Sequence, residues 1–119
     1  RRKKSLNSVR RKSRKIQMVE EKIKYSKEQL AEFCVRNGIK KLSFFGSILT
    51  DRFTDDSDVD MLVEFEEKKK PGLLGLVGME IELTEMLGRK VDLRTPEELS
   101  RHFRNDVIRE AQIEYGNKR

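Results

Sequence analysis

Residues 44–65 constrain this chain more than any other stretch: Phe44-Phe45-Gly46-Ser47-Ile48-Leu49-Thr50-Asp51-Arg52-Phe53-Thr54-Asp55-Asp56-Ser57-Asp58-Val59-Asp60-Met61-Leu62-Val63-Glu64-Phe65. Its apolar ends read as strands and its polar middle as a turn. Gly46 lets the backbone approach a ligand where a side chain would block it. Ser47 adds a hydroxyl and a backbone N–H at the start of a predicted short helix, a seat suited to phosphate. Asp58 and Asp60 are one residue apart, so on a strand both carboxylates point to the same face. Like charges held that close raise one another's pKa unless a cation lies between them. Mg²⁺ suits such a pair, because it takes one or two carboxylates together with phosphate oxygens and water. A phosphate seat and a metal pair joined by the ten residues 48–57 describe a nucleotide site.

The rest of the chain predicts the frame around this segment. Ser26 with Gln29 forms a capping-box pattern, and Leu30, Phe33, Cys34 and Ile39 recur at helical spacing. Asn37-Gly38 ends that helix, since both residues tolerate the left-handed conformation. Strands follow at Ile39–Phe45, with Leu42 and Phe44 on one face, and at Val59–Phe65. Residues 66–72 form a polar loop broken by Pro71-Gly72. Leu73–Leu87 is an apolar helix with Gly72, Gly75 and Gly78 along one stripe, read as close packing on the sheet or a neighbour. Much of its surface is apolar, which also marks it as a partner-binding face. These glycines do not cradle phosphate, which requires glycines between a strand and a helix start.

Gly88-Arg89-Lys90 turns the chain into a third strand, Val91–Arg94. There Asp92 interrupts a buried apolar run, costly for an acid without a partner or a metal. Thr95-Pro96-Glu97-Glu98 starts a last helix, predicted to run to about Tyr115 with Leu99, Phe103, Val107 and Ile108 facing the sheet. His102 lies on that helix and faces solvent, since no second His or Cys accompanies it. The alternation of strands and helices predicts a single α/β (α+β) domain with a small mixed sheet flanked by helices.

Composition sets bounds on this reading. The 119 residues allow one domain with a modest core. No apolar run is long enough to span a bilayer, so no membrane association is expected. Cys34 is the only cysteine, which rules out an intrachain disulfide and fits a reducing cytoplasm. On its helix it reads as a small buried hydrophobe. The formal net charge is +6, yet residues 1–15 alone hold nine cations and no acid. Residues 16–119 are therefore mildly acidic. The expected division is a basic, partly disordered N-terminal extension over 1–25 and a domain over 26–119. The extension is open to salt-sensitive nucleic-acid contact. No aromatic residue in 1–15 is available to stack on bases.

Gly46-Ser47, ten residues, then Asp58-x-Asp60 and the later Val91-Asp92-Leu93 resemble the signature of the polymerase-beta-type nucleotidyltransferases. The closer resemblance is to the minimal nucleotidyltransferases (MNT), paired with HEPN toxins in prokaryotic toxin–antitoxin systems, and it covers about residues 26–115. It implies a nucleotidyltransferase sheet with the site at one end. Asp58, Asp60 and Asp92 would be the catalytic and metal-binding carboxylates, holding Mg²⁺ as two ions. Gly46 and Ser47 would bind the triphosphate of ATP. It further implies transfer of AMP to a hydroxyl, that of a tyrosine, on a cognate HEPN ribonuclease toxin. Many relatives carry an Arg at the position of Thr50; here the nearest cation is Arg52, which is expected to substitute or to leave nucleotide affinity reduced. Other readings stay open: neutralisation of the toxin by binding alone, a nucleic-acid-associated protein acting through its basic tail, and a homo-oligomer. Transfer to a small molecule such as an aminoglycoside usually needs extra domain mass to enclose the acceptor, and this chain has little to spare.

Overall fold

The computed structural model describes residues 13–116. The basic run over 1–12, with its expected disorder and nucleic-acid contact, lies outside the described residues.

Four strands, β1 (Ile39–Phe45), β2 (Val59–Phe65), β3 (Val91–Arg94) and β4 (Gln112–Tyr115), form one sheet in the order β3-β2-β1-β4. β1 pairs antiparallel with β2 and with β4, while β2 and β3 run parallel. The mixed sheet expected from the sequence is therefore present. Helices α1 (Arg14–Lys22), α2 (Lys27–Arg36), α3 (Leu73–Leu87) and α4 (Arg104–Glu110) surround it. Phe33, Phe44, Leu42, Met61, Val63 and Leu83 lie fully buried between sheet and helices. No helix among the described residues is long and apolar enough to cross a membrane.

The α2 start follows its sequence signal, with the Ser26 hydroxyl accepting from the Gln29 N–H at 3.1 Å. Cys34 is buried on this helix, and burial pushes its thiol up to about 12. It is a packing residue, inert as a nucleophile at neutral pH. α1 has a cap of its own, Ser13, whose hydroxyl accepts from the Ile16 N–H at 3.0 Å. Ile16, Val19 and Ile23 from this segment all enter the core. The packed unit thus takes in α1, which the sequence left inside the extension over 1–25. Its three apolar positions at helical spacing lie beside a run of nine cations, whose composition is that of a solvated tail.

The C-terminal part differs most from expectation. No helix runs on to Tyr115. A 3-10 turn at Pro96–Glu98 follows Thr95, whose N–H donates to Glu98 Oε1 at 3.0 Å. Arg104 then folds back, donating from Nε to Pro96 O at 2.8 Å and from Nη2 to Leu99 O at 3.1 Å. The guanidinium satisfies carbonyls that a continuous helix would have used. Phe103 and Ile108 are exposed, not turned to the sheet, and His102 sits in an exposed turn. Residues 112–115 instead pair with β1, whose second edge would otherwise be left with unpaired backbone groups. β4 carries Glu114, whose side chain is only 4% exposed. It accepts from the Tyr25 hydroxyl at 2.9 Å and pairs with Lys27 Nζ at 3.3 Å. Burial first, then the Glu114 charge, pushes the Tyr25 hydroxyl well above its usual range.

At the opposite edge, α3 caps β3. Thr84 Oγ1 accepts from the Val91 N–H at 3.0 Å and Glu80 Oε2 from the Leu93 N–H at 2.7 Å. Two helix side chains so occupy donors that would invite a foreign strand. The glycine stripe on this helix does not serve packing on the sheet. A Cβ at Gly78 would meet nothing within 4 Å, and one at Gly75 would meet only Pro71.

If α1 is part of the core, Val19→Ala should lower unfolding free energy by on the order of 2 kcal/mol. Urea denaturation monitored by circular dichroism measures this. A loss indistinguishable from that of an exposed Gln17→Ala control would place α1 outside the cooperative unit.

Candidate active site

Strand register brings Gly46, Asp60 and Asp92 together at one end of the sheet. Asp60 on β2 stands opposite Phe45 on β1 and opposite Asp92 on β3. The chain leaves β1 at Gly46 with φ +81. A Cβ there would collide with Asp60 Oδ2, so position 46 needs glycine both for its backbone angle and for room. Gly46–Leu49 forms one 3-10 turn, with Ser47 half-buried and Ile48 anchored in the core. Thr50 folds onto that turn, its N–H and its hydroxyl both donating to Ser47 O at 2.9 Å. Further along, Thr54 N–H donates to Ser57 Oγ at 2.9 Å and Ser57 N–H to Thr54 O at 3.0 Å, a tight turn that delivers Asp58 to the start of β2.

The carboxylates differ in environment. Asp58 is exposed, whereas Asp60 and Asp92 are half-buried. Burial, then the negative charges of Asp92 and Asp58, push the Asp60 carboxyl up to about 6, with Arg94 pulling weakly the other way. Arg94 grips Asp92 with two bonds, Nε to Oδ1 at 3.0 Å and Nη2 to Oδ2 at 3.2 Å. With Asp92 turned to Arg94, no three acidic, His or Cys side chains among the described residues stand close enough together to hold an ion. The donor set nevertheless fits a hard divalent cation. Asp60 on β2 and Asp58 just before it offer oxygen ligands, and a half-buried carboxylate already disfavoured by two like charges is the group a cation would relieve.

A cavity of about 640 Å³ opens beside Gly46 and Ser47, lined also by Lys15, Phe45, Leu49, Thr50, Arg52, Val107 and Glu110, with Asp58, Asp60 and Asp92 outside its lining. Arg52 therefore lines the same cavity as Gly46 and Ser47. Two neighbours of the site, Lys15 and Arg94, do not stand out in the sequence. Lys15 arrives with α1 and had no signal beyond a basic run. Arg94 had one: Asp92-x-Arg94 on a strand shares a face by the same alternation that pairs Asp58 with Asp60.

The direction of the Asp60 shift fixes a pH dependence. A carboxyl whose folded pKa lies above its unfolded value favours folding when protonated, below about pH 4. That contribution is lost as the pH rises through about 6. Without added metal, Asp60→Asn should melt higher than the unmodified protein at pH 7.5, and the gap should close by pH 4. Thermal scans of both proteins from pH 4 to 7.5 decide it; a gap that does not vary with pH would refute the crowding of Asp60.

The nucleotidyltransferase domain family matches residues 26–115. Protein adenylyltransferase MntA of Thermococcus cleftensis is 35% identical over 96 residues, which span 81% of this chain and 92% of that protein. A solved structure assigned to the minimal nucleotidyltransferases is similar with TM-score 0.60 at 34% identity, covering 71% of this chain and 85% of that one. A chain from the complex of tri-AMPylated Shewanella oneidensis HEPN toxin with MNT antitoxin shares the fold, with TM-score 0.56 at 17% identity over 76% of this chain and 70% of its own length. With a family match over residues 26–115 and Gly46, Asp60 and Asp92 side by side at one end of the sheet, this chain belongs to the nucleotidyltransferases, among their minimal, MNT-type members.

Proposed function

We propose that this enzyme is an Mg²⁺-dependent protein adenylyltransferase that moves AMP from ATP to a tyrosine hydroxyl on a cognate HEPN-type toxin, in the cytoplasm, and thereby silences it. The observation that carries this reading is the register placing Asp60 between Gly46 and Asp92. It sets Gly46 directly against Asp60 with Asp92 alongside, and backbone room for phosphate next to carboxylates is the juxtaposition that nucleotidyl transfer requires. The adenylyltransferase name of the Thermococcus cleftensis relative and the toxin–antitoxin complexes that share the fold support it.

In such a transfer the acceptor hydroxyl oxygen attacks the α-phosphorus of ATP, a new O–P bond forms, and the bond to pyrophosphate breaks in line. Asp58 and Asp60 would hold the metal, with Asp92 completing the set for a second ion or accepting the hydroxyl proton at a carboxylate oxygen. Bound Mg²⁺ supplies charge neutralisation at the triphosphate and a lower pKa for the attacking hydroxyl. Gly46 exposes backbone to the phosphates and Ser47 adds its N–H and hydroxyl. Arg52 and Lys15 bring positive charge to the cavity wall where Thr50 brings none, and Glu110 brings one negative charge to it. Arg94 keeps Asp92 oriented.

A protein acceptor also accounts for the outer face of α3. Leu73, Leu74, Val77 and Ile81 are 74%, 86%, 42% and 57% exposed, a stripe at helical spacing. Glycine at 78 costs helix stability, and nothing among the described residues needs its missing Cβ. Close approach of a partner helix would use that space. The polar residues of α3 that carry charge are all acidic, so an apolar partner face flanked by basic residues complements it. A groove formed by Leu73, Leu76, Val77, Glu80, Leu93 and Arg94 also reaches Asp92, so a toxin seated on α3 would lie beside the carboxylates.

Intact mass spectrometry of a co-expressed HEPN partner after incubation with ATP and Mg²⁺ tests the reaction. AMP-sized increments are expected with the unmodified enzyme and none with Asp58→Asn/Asp60→Asn. If both proteins form the complex and neither adds mass, the catalytic reading fails and neutralisation by binding replaces it. Separately, Leu74→Asp or Ile81→Asp should weaken the complex by about 30-fold or more in calorimetry. Affinity for a non-hydrolysable ATP analogue should stay the same. Unchanged partner affinity would move the docking face elsewhere.

A further inference from the structure

We propose that Lys22 and Arg89 are positioning residues that clamp the loop over 46–58 from two sides, with the Phe53 ring as the wedge between them. Lys22 comes from the last turn of α1, and its Nζ donates to Ile48 O at 2.8 Å and to Thr50 O at 2.6 Å. Arg89 follows Gly88, which ends α3 in the left-handed conformation with φ +72 and so aims the chain back across the sheet end. Its Nη2 is shared among Thr54 O at 2.9 Å, Asp55 O at 3.2 Å and Ser57 O at 2.6 Å. Between them the two cations engage five loop carbonyls. Both also approach the same ring: Lys22 Nζ lies 5.7 Å and the Arg89 guanidinium carbon 4.7 Å from the Phe53 centroid. Cation–π attraction of this kind contributes about 0.5–1 kcal/mol where solvent reaches it, and more where it does not.

The loop has reason to need holding. It is polar and carries Asp51, Asp55 and Asp56 beside Asp58, so its own charges favour opening it. Strand pairing already holds Gly46 beside Asp60, but Ser47 and Asp58 lie outside the ladder, and the loop path sets the separation between them. A clamp made to backbone carbonyls fixes that separation whatever the loop side chains do. Lys22 and Arg89 lie outside the glycine–serine and aspartate signature, and they reach the loop from α1 and from the turn before β3. As a statement about catalysis, the inference rests on the transferase reading; as a statement about the loop, it stands on these contacts.

Full-length Arg89→Met, Arg89→Lys and Phe53→Leu proteins test it by two independent readouts. In hydrogen exchange, Arg89→Met should speed exchange over 50–58 by about tenfold while β2 amides keep their protection. In partner adenylylation, its kcat should fall by about 100-fold with a much smaller change in KM for ATP. Arg89→Lys, which keeps the charge and part of the bonding, should recover some of both. Phe53→Leu leaves every donor in place and should loosen the loop less, which keeps the test alive if Arg89→Met does not fold. Unchanged loop exchange in both Arg89→Met and Phe53→Leu overturns the clamp, as does an Arg89→Lys protein no better than Arg89→Met. If the unmodified enzyme transfers no AMP, the transferase reading falls by itself, and loop exchange alone decides whether the clamp exists.

Discussion

Asp60 sits where three constraints meet. Pairing with Phe45 fixes it beside Gly46, pairing with Asp92 fixes a second carboxylate beside it, and the sheet end half-buries it. Charge crowding of this kind disfavours the ionised acid, and nothing in the strand ladder can relieve it without shifting register. The surroundings adapt instead. Position 46 does without a side chain, Asp92 turns to Arg94, and the polar segment leading into Asp58 is drawn tight by the Thr54–Ser57 turn. An arrangement that raises free energy at one point of a small domain is the physical mark of a candidate site.

Glu114 makes the comparison instructive, because it is the more deeply buried acid and yet has a complete set of partners. The Tyr25 hydroxyl donates to it, Lys27 pairs with it, and Lys27 also reaches Glu20 at 3.2 Å. These contacts join α1, α2 and β4, and they explain how a charged residue can sit on an inward-facing strand position. A buried carboxylate ringed by opposite charge serves the fold. One ringed by like charge is poised for a cation.

Much of the fold and the site was legible in the sequence. β1, β2, β3 and α3 fall where period and turn residues put them, because each is bounded by a local signal such as Asn37-Gly38, Pro71-Gly72 or Gly88. The order of Gly46, Ser47, Asp58 and Asp60 was equally local. Residues 112–115 misled because Gln112, Ile113, Glu114 and Tyr115 follow a helix and carry no strand signal stronger than its continuation. The free edge of β1 decided their state, and an edge exists only after β1 and β2 have paired. The α3 glycines left two readings, packing on the sheet or on a neighbour, and the open space beside Gly78 among the described residues removes the first there.

The sequence by itself determined the chemistry at hand and its linear order, since glycine conformation, carboxylate alternation and helix caps act over a few residues. Tertiary structure alone decided which charges meet. Lys22 and Arg89 are separated by 67 positions in the chain, yet both converge on Phe53, and Asp92 becomes Asp60's neighbour only through a parallel crossover. Electrostatic and cation–π contacts depend on distance in space, which sequence spacing encodes within an element and loses between elements.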